Sequence, residues 1–269
     1  MNFDLSGKRA LVTGSSSGIG AGIAAALAGE GVSVVVHGRN PERAEAVAER
    51  IRGNGGSAAT AIGDLATEGG AAQVADVAAD AFGGIDILVN NAGGSSDTGV
   101  QSWFSLPVSE WGTTYERNVL SAGHLIHALA PAMKENGWGR IIQIASAAGI
   151  IPTSGQPDYG PSKAAMINMS MGLSKALAGT GITVNTVMPG MIMTEGLKDF
   201  LRIFAERRGW GDDIDKAAEY VLKGTGQTVH RVGQVADVAY AVTVLASPNA
   251  DFFNGINLHL DGGATGSIY

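Results

Sequence analysis

Short runs of β-branched and other apolar residues recur along the chain, separated by polar or glycine-rich turns. The runs predict strands over residues 9–13, 33–37, 57–62, 85–90, 140–145, 182–188 and 257–260. Alanine-rich stretches with helical spacing lie between them, the first over residues 19–28. Strands that alternate with helices are typical of right-handed βαβ units, which build a parallel sheet with helices on both faces. The pattern predicts an α/β fold with ligands at the carboxyl ends of the strands.

Length, composition and charge indicate a single-domain globular protein without a nucleic-acid-binding or membrane-binding surface. At 269 residues, of which 45% are hydrophobic, the chain is expected to form a single domain over residues 1–269. A net charge of -7 without a long Lys/Arg run argues against nucleic-acid or anionic-membrane surfaces. No apolar run reaches the roughly 20 residues of a membrane span, and the N-terminus lacks a signal-peptide core, so the cytoplasm is the expected location.

Cysteine and histidine, two residue types that commonly bind metals, give little support for a metal site in this chain. The chain has no cysteine, which excludes disulfides, thiolate catalysis and cysteine-ligated zinc. His124 and His127 are three residues apart on a predicted helix, a spacing that can suit a metal, but no carboxylate stands at a matching position. We therefore predict no metal and interpret both histidines as core or interface residues.

A glycine-rich turn follows the first predicted strand and leads into an alanine-rich helix. The segment Thr13 to Gly20 reads T-G-S-S-S-G-I-G. Glycines let the backbone approach a pyrophosphate, and the helix N-terminus offers unpaired N–H groups and a positive dipole end. The context favours nucleotide binding over a purely structural turn. The expected contacts are Gly14, Ser16, Ser17, Gly18, Ile19 and Gly20.

The end of the second strand bears on which nucleotide binds. A free ribose diol is usually met there by an acidic residue, and this chain has Arg39 instead. A guanidinium can pair with a 2′-phosphate, so NADP is favoured over NAD, the alternative being a solvated loop arginine. Asp64, followed by Leu65, closes the third strand, where it accepts from an adenine amino group or caps the next helix.

Two asparagine-containing segments follow. The fourth strand ends in N-N-A-G, in which Asn91, Ala92 and Gly93 are small enough for a ligand to lie against the backbone, although such residues are also common in turns. Asn118 lies within a helical pattern, where its amide competes for backbone hydrogen bonds. The position of Asn118 therefore suggests the hypothesis of a functional role.

The stretch from residue 146 to residue 163 carries the candidate chemistry. Tyr159 and Lys163 are four residues apart, on one face of a predicted helix, and Ser146 ends the fifth strand. Pro161 must lie in the first helical turn, which places Tyr159 at the helix start, beside the carboxyl edge of the sheet. Taken alone, the Tyr–Lys pair would be interpreted as an exposed pair on a helix.

Together these motifs resemble the short-chain dehydrogenase/reductase family, in its single-domain branch that includes 3-oxoacyl reductases. The resemblance rests on T-G-x-x-x-G-x-G, N-N-A-G, Ser146 and Y-x-x-x-K, in that order, and it extends over nearly the whole chain. It implies a Rossmann-like doubly wound sheet of seven parallel strands and a homotetramer. It implies catalytic residues Asn118, Ser146, Tyr159 and Lys163, and further cofactor contacts at Pro189, Gly190, Ile192 and Thr194. One departure is Ser17, where some NADP-using members carry a basic residue.

The resemblance also implies a reaction. The cofactor supplies hydride, Tyr159 exchanges the proton, and the Lys163 ammonium is expected to lower the pKa of the phenol. Ser146 would hold the substrate oxygen; a serine nucleophile is the rival interpretation, but no G-x-S-x-G elbow surrounds it. By resemblance, Lys163 also binds the nicotinamide ribose, and Asn118 holds a water that links Lys163 to solvent.

Two segments are expected to shape the substrate pocket. Residues 94–107 carry Trp103 and Phe104. Residues 195–227 include an amphipathic helix with Leu197, Phe200, Leu201 and Phe204 on one face. That face either closes over the site as a lid, which favours a substrate with an apolar part, or packs on the domain. The predicted function is an NAD(P)-dependent oxidoreductase of a small alcohol or carbonyl substrate. The alternative is a nucleotide-sensing protein on the same fold.

Overall fold

A central sheet organises the chain, whose computed structural model describes residues 3–95 and 102–266. Its strands are β1 (Arg9–Val12), β2 (Ser33–Gly38), β3 (Ser57–Ile62), β4 (Ile87–Asn90), β5 (Gly139–Ile144), β6 (Ile182–Pro189) and β9 (Asn257–Leu260). They pair in parallel in the order β3-β2-β1-β4-β5-β6-β9. This confirms the predicted Rossmann-like doubly wound sheet, and every strand lies within two residues of its predicted bounds.

Helices cover both faces of the sheet. They are α1 (Gly18–Gly29), α2 (Pro41–Gly53), α3 (Glu68–Phe82), α4 (Val108–Tyr115), α5 (Ser121–Glu135), α6 (Tyr159–Ala176), α7 (Glu195–Arg207), α8 (Ile214–Thr225) and α9 (Val235–Ala246). A π-helical turn, Glu116–Leu120, joins α4 to α5. None of the helices in the described ranges is both long and apolar enough to cross a membrane.

Alternation along the strands builds two cores. In β2, Val34 and Val36 belong to the cluster packed under α1, α2 and α9, whereas Val35 faces the opposite cluster under α3 and α5. Successive side chains of a strand point to opposite faces, so each buried strand contributes to both layers. Both cores are rich in alanine and valine, which lets helices and sheet approach closely.

A third, smaller core lies outside the sheet. It consists of buried residues from α7, α8 and the segment that follows them: Leu201, Ala205, Ala217, Ala218 and Val232. The α7–α8 unit leaves the main fold at β7 (Ile192–Met193) and returns at β8 (Gly233–Gln234), two short strands that pair with each other. Neither strand was predicted, because two residues carry no alternation that a sequence pattern can reveal.

The strand order opens a crevice between β1 and β4, at the carboxyl end of the sheet. After β1 the chain passes to β2 and β3, and then returns across the sheet to β4 on the other side of β1. The loops after β1 and β4 therefore diverge from the carboxyl end of the sheet, where open α/β sheets bind their ligands.

Candidate active site

A long groove runs along the carboxyl ends of the strands. It consists of a cavity of about 630 Å³ on the α6 and α7 side and one of about 460 Å³ toward β2 and β3. Both are lined by Gly14, Ser17, Arg43 and Gly93, so they are two parts of one groove. The glycine-rich turn forms its centre.

The turn between β1 and α1 exposes its backbone to the groove. Gly14 and Gly18 have φ of 62° and 55°, which side chains rarely allow. Ser17 stands at the N-cap of α1 without a side-chain cap, so the first N–H groups of the helix have no hydroxyl partner there. A Cβ on Gly20 would lie 2.5 Å from both the Asn91 Nδ2 and the Gly14 carbonyl oxygen. This geometry leaves an anion-binding cradle.

Thr13 fastens the turn to the end of β4. Its Oγ1 accepts hydrogen bonds from the N–H groups of Asn91 and Ala92, both at 2.9 Å, and the Asn91 amide donates to the Thr13 carbonyl at 2.9 Å. Thr13 is the first residue of the glycine-rich segment but was not among the predicted site residues. A hydroxyl that accepts two backbone N–H groups from another strand becomes visible only once the strands are neighbours.

The far end of the groove carries two arginines. Arg39 and Arg43 both line the smaller cavity and are exposed; Arg43 lies in the first turn of α2, which Asn40 caps through the Arg43 N–H. Arg43 was not among the predicted contacts, although its position four residues after Arg39 was a usable signal. Asp64 and Leu65 also line this end.

Asp64 was expected either to meet an adenine or to cap α3, and the capping alternative is wrong. The α3 N-cap is Thr67, whose hydroxyl accepts from Gly70 N–H at 3.1 Å. The Asp64 carboxylate instead accepts from Ala66 N–H at 3.1 Å within the loop. Its exposed side chain remains beside the cavity.

Ser146, Tyr159 and Lys163 come together on one wall of the larger cavity. Tyr159 is the first residue of α6 and Pro161 lies in its first turn, as predicted. The Tyr159 phenol is hydrogen-bonded to Ser146, which also accepts from Ala148 N–H at 3.2 Å. The hydroxyl and the phenol are thereby aimed at one point in the groove.

Burial governs the ionisation of this group. It raises the pKa of Tyr159, which the Ser146 hydrogen bond partly offsets, and it lowers the pKa of fully buried Lys163 to about 8. The expectation that Lys163 lowers the phenol pKa is not met. The Lys163 ammonium lies 5.7 Å from the centre of the Tyr159 ring and donates to the Ile144 carbonyl oxygen at 3.0 Å.

Asn118 lies in the π-helical turn, directly behind this wall. Its Oδ1 accepts from Gly94 N–H at 2.8 Å, and its Nδ2 donates to the Gly94 carbonyl oxygen and to Ser162 Oγ. A Cβ on Gly93 would lie 2.2 Å from that Oδ1. The side-chain amide is thus used to join the β4 loop to α6. Both amide hydrogens are donated in this way, whereas Oδ1 keeps a second acceptor site, so a water held by Asn118 stays a prediction.

Comparison with known proteins agrees with this arrangement. The short chain dehydrogenase family matches residues 8–202. The chain is 35% identical to the 7alpha-hydroxysteroid dehydrogenase of Escherichia coli over 97% of its length and 96% of that protein. It is 35% identical to the 3-oxoacyl-[acyl-carrier-protein] reductase FabG of the same species, over 98% of both chains. The crystal structure of L-sorbose reductase from Gluconobacter frateurii, complexed with NADPH and L-sorbose, superposes with a TM-score of 0.94, 30% identity and full coverage of both chains.

The chain belongs to the short-chain dehydrogenase family. It is an NAD(P)-dependent oxidoreductase that acts on an alcohol/carbonyl pair, and the alternative of a nucleotide-sensing protein is not favoured.

A nicotinamide dinucleotide fits the groove of this short-chain dehydrogenase. The bare glycine turn and the open N-terminus of α1 suit a pyrophosphate, and Gly20 has no room for a side chain. Most of the predicted site residues line the groove: Gly14, Ser16, Ser17, Gly18, Ile19, Arg39, Asp64, Leu65, Asn91, Ala92, Gly93, Ser146, Tyr159, Lys163, Pro189, Gly190 and Thr194. Gly20, Asn118 and Ile192 lie behind that surface; Ile192 is buried in β7.

The substrate side of the dehydrogenase differs from expectation. The predicted amphipathic helix is α7, but its apolar face packs on α8: Leu201 is buried there, and Leu197 and Phe204 lie against the same cluster. The residues of α7 that line the cavity are instead Glu195, Gly196 and Asp199.

The predicted pocket segment 94–107 lies partly outside the described residues. Of its described part, Gly94 lines the groove, whereas Trp103 packs edge-on against Trp111 at 5.5 Å between ring centres and Phe104 is almost fully exposed. Within the described ranges, no three histidine, aspartate or glutamate side chains converge as a metal site.

Proposed function

We propose that this short-chain dehydrogenase is an NADPH-dependent carbonyl reductase in which Tyr159 is the acid/base. The observation that carries the proposal is the convergence of Ser146, Tyr159 and Lys163 on one wall of the groove, next to the glycine turn. A phenol and a hydroxyl aimed at one point suit a carbonyl oxygen that must receive a proton.

Each residue has a defined part in the reaction. When bound, the cofactor supplies the hydride. Tyr159 donates its proton to the carbonyl oxygen, and Ser146 donates a hydrogen bond to the same oxygen and fixes its distance from the phenol. The ammonium of Lys163, held at the Ile144 carbonyl on the same wall, would bind the nicotinamide ribose. Asn118 keeps the β4 loop against α6, so the wall stays in place.

Replacement of Tyr159 by phenylalanine tests this assignment. The variant should lose about 10² to 10⁴ in turnover, because no group replaces the proton donor, while its affinity for NADPH should change little. NADPH binding is measured by fluorescence titration and turnover by absorbance at saturating cofactor. Full activity in the variant would refute the acid/base role, and full binding without activity would separate the enzyme from a nucleotide sensor.

The preference for NADPH is supported by charge at the adenine end of the groove. Arg39 and Arg43 are both exposed there, and Arg39 stands directly after β2, where an acidic residue would accept from a free ribose diol. Among related structures, L-sorbose reductase is complexed with NADPH and a 7 alpha-hydroxysteroid dehydrogenase with NADH, so the family uses both cofactors.

The two arginines give a direct test of the preference. Arg39→Ala and Arg43→Ala should each weaken NADPH binding by about tenfold and leave NADH binding nearly unchanged, because only the 2′-phosphate is lost as a partner. Arg50→Ala, on the exposed end of the same helix, is the matched control. Equal use of both cofactors in all three variants would overturn the assignment.

The α7–α8 unit is proposed as the substrate lid, within residues 195–227. Support comes from its separate core and from Glu195 and Asp199 at the cavity. Leu197, Leu201 and Phe204 of the apolar face pack in the α7–α8 core, whereas Phe200 is half-exposed. None of these residues lines the cavity, so the face gives no reason to require an apolar part in the substrate. Limited proteolysis with and without NADPH tests closure, and unchanged cleavage within residues 195–227 would refute it.

A substrate panel should contain L-sorbose, a 7-oxo bile acid and an acetoacetyl thioester, which represent polyhydroxy, steroid and acyl carbonyls. Polar lining by Ser146, Glu195 and Asp199 supports the first of these. If the steroid instead had the highest kcat/KM, the result would support the original expectation of a substrate with an apolar part.

A homotetramer and a cytoplasmic location are further parts of the proposal. Large apolar side chains on α9 and after it are exposed, with Phe252 at 99% and Tyr240 at 60%, which supports association through this surface. Light scattering coupled to gel filtration measures the mass, and a monomer would contradict the tetramer.

A further inference from the structure

His37 lies beneath the glycine turn and takes no part in the chemistry proposed above. It occupies the carboxyl end of β2, is 3% exposed, and borders the smaller cavity of the groove. Its imidazole lies between the loop after β1 and the loop after β3.

The ring bonds to both loops. Its Nδ1 accepts from Gly14 N–H at 3.0 Å, and its Nε2 lies 3.2 Å from the Gly63 carbonyl oxygen. A backbone N–H can only donate and a carbonyl oxygen can only accept, so Nδ1 is unprotonated and Nε2 carries the hydrogen. The backbone of His37 adds two bonds: its N–H donates to Ser15 Oγ at 2.9 Å, and its carbonyl accepts from Ser15 N–H at 2.8 Å.

Gly14 is held in place on the side away from the imidazole. With φ of 62° the residue is pressed against β4, and a Cβ there would lie 2.9 Å from the Ala92 Cα. Loss of the imidazole acceptor would leave this donor unpaired, and the turn would have to move to recover a hydrogen bond. Gly63, at the other end of the ring, directly precedes Asp64 and Leu65 at the adenine end of the groove.

We propose that His37, as the neutral Nε2–H tautomer, is a positioning residue that fixes the pyrophosphate turn relative to the adenine end of the groove. The inference rests on the proposed function, since it concerns how the groove receives a dinucleotide. His37 acts through Gly14 and Gly63 and contacts neither the substrate nor the reacting atoms.

The charged surroundings of the ring favour this neutral form. Burial lowers the pKa of His37, Arg39 lowers it further, and Asp64 together with the Gly63 carbonyl partly offsets both. Arg43 from α2 and Arg117 from the π-helical turn line the same cavity and add positive charge; the turn from Thr13 to Ser17 contains no titratable side chain. Protonation of Nδ1 would place two N–H donors against each other and release Gly14.

Two amide substitutions separate the two bonds of the ring. In His37→Asn the amide oxygen can take the place of Nδ1 and accept from Gly14, whereas the bond to Gly63 is lost. In His37→Gln the longer amide can take the place of Nε2 and donate to Gly63, whereas the acceptor for Gly14 is lost. Neither side chain titrates, so both variants remove the response of this position to acid.

The readout is the Kd of NADPH from fluorescence titration between pH 5 and 8, alongside the Kd of adenosine 2′-monophosphate, which lacks the pyrophosphate. His37→Gln should bind NADPH about tenfold more weakly than His37→Asn, with adenosine 2′-monophosphate nearly unaffected. Protonation of the 2′-phosphate, which titrates at about pH 6, should weaken NADPH binding in every variant on acidification. Wild-type affinity should fall more steeply than that of His37→Asn, because the wild-type protein also loses the bond to Gly14. Thermal melts of the cofactor-free variants report the stability of each.

The outcomes separate the inference from the function on which it rests. Equal NADPH affinity in the two variants, or losses that simply follow their melting temperatures, would overturn the positioning role alone. Failure of the wild-type protein to bind either NADPH or NADH would overturn the proposed function, and the inference with it.

Discussion

Tyr159 is half-buried and Lys163 is buried, and removal from water shifts their pKa values in opposite directions. The pKa of the phenol is raised, and that of the ammonium is lowered to about 8. In each case burial disfavours the charged form. Tyr159 is therefore held as a neutral phenol in the cofactor-free protein. Lys163 lies at a position where its positive charge lowers the stability of the fold.

Lys163→Met should stabilise the cofactor-free protein at pH 7 by about 1–3 kcal/mol while abolishing turnover. The sign follows from proton binding: between about pH 8 and about pH 10.4 the unfolded chain keeps the Lys163 proton that the folded chain has released, so wild-type stability rises with pH. The advantage of the variant is largest below pH 8 and shrinks above it.

Urea unfolding of both proteins at pH 7 and pH 10 measures this effect. Lys134→Met, on the exposed side of α5, serves as the control and should change stability little at either pH. A Lys163 variant that is less stable than the wild-type protein at pH 7 would show that the bond to the Ile144 carbonyl outweighs the burial cost.

At the scale of single residues, the sequence predicts which side chains form the site but not the hydrogen bonds that hold them in position. Ser146, Tyr159 and Lys163 could be named because their spacing around a strand end and a helix start is local. The roles of Thr13 and His37 depend on hydrogen bonds to β4 and β3, respectively, which are distant in sequence. The missed pKa effect on Tyr159 has the same origin, since spacing gives no direction for the Lys163 ammonium.

Helix α1 has no room for a side chain at one of its glycines, near its N-terminus, and ample room at another, its last residue. Gly20, in its first turn, faces the Asn91 amide and the Gly14 carbonyl oxygen, and Gly29, its last residue, has open space where a Cβ would lie. The contrast comes from packing, because both residues have helical backbone.

Gly20→Ala should destabilise the protein by about 1–3 kcal/mol and weaken NADPH binding severely, because the added methyl forces the turn apart. Gly29→Ala is the matched control and should be neutral or stabilise by up to about 1 kcal/mol. Thermal melts with and without NADPH test both. Comparable effects of the two substitutions would mean that helix propensity, rather than the close approach to Asn91, decides the outcome.

Element boundaries were predictable where apolar runs end in glycine or asparagine, as at the ends of β2 and β4. The sequence could not predict which element packs against the apolar face of α7. An amphipathic pattern shows that Leu201 will be buried, but α8, the cavity or the sheet could each have covered it.

At the scale of the whole molecule, the described residues form three hydrophobic cores, two against the sheet and one within the α7–α8 unit. Leu27 of α1 belongs to a core shared with the sheet, whereas Leu201 of α7 belongs to the separate core of the α7–α8 unit. Both leucines are fully buried, so the same substitution removes a similar apolar area from each.

Leu27→Ala should lower global stability by about 2–5 kcal/mol. Leu201→Ala should instead raise the KM for the carbonyl substrate and increase amide hydrogen exchange within α7 and α8, with little change in global stability or in NADPH affinity. Hydrogen exchange read by mass spectrometry, together with urea unfolding, distinguishes the two. A global loss in Leu201→Ala equal to that in Leu27→Ala would show that all three cores unfold as one.

The paired strands β7 and β8 have an evolutionary consequence. Ile192 lies opposite Gly233 and Met193 opposite Gln234, so the chain leaves and re-enters the sheet domain through neighbouring backbone positions. A segment whose two ends are adjacent can be lengthened, shortened or exchanged with that of a homologue without displacing the strands on either side. On the proposed lid role, recombination between relatives at these two points would transplant a substrate preference in one event and leave the glycine-rich turn and the adenine end of the groove unaltered.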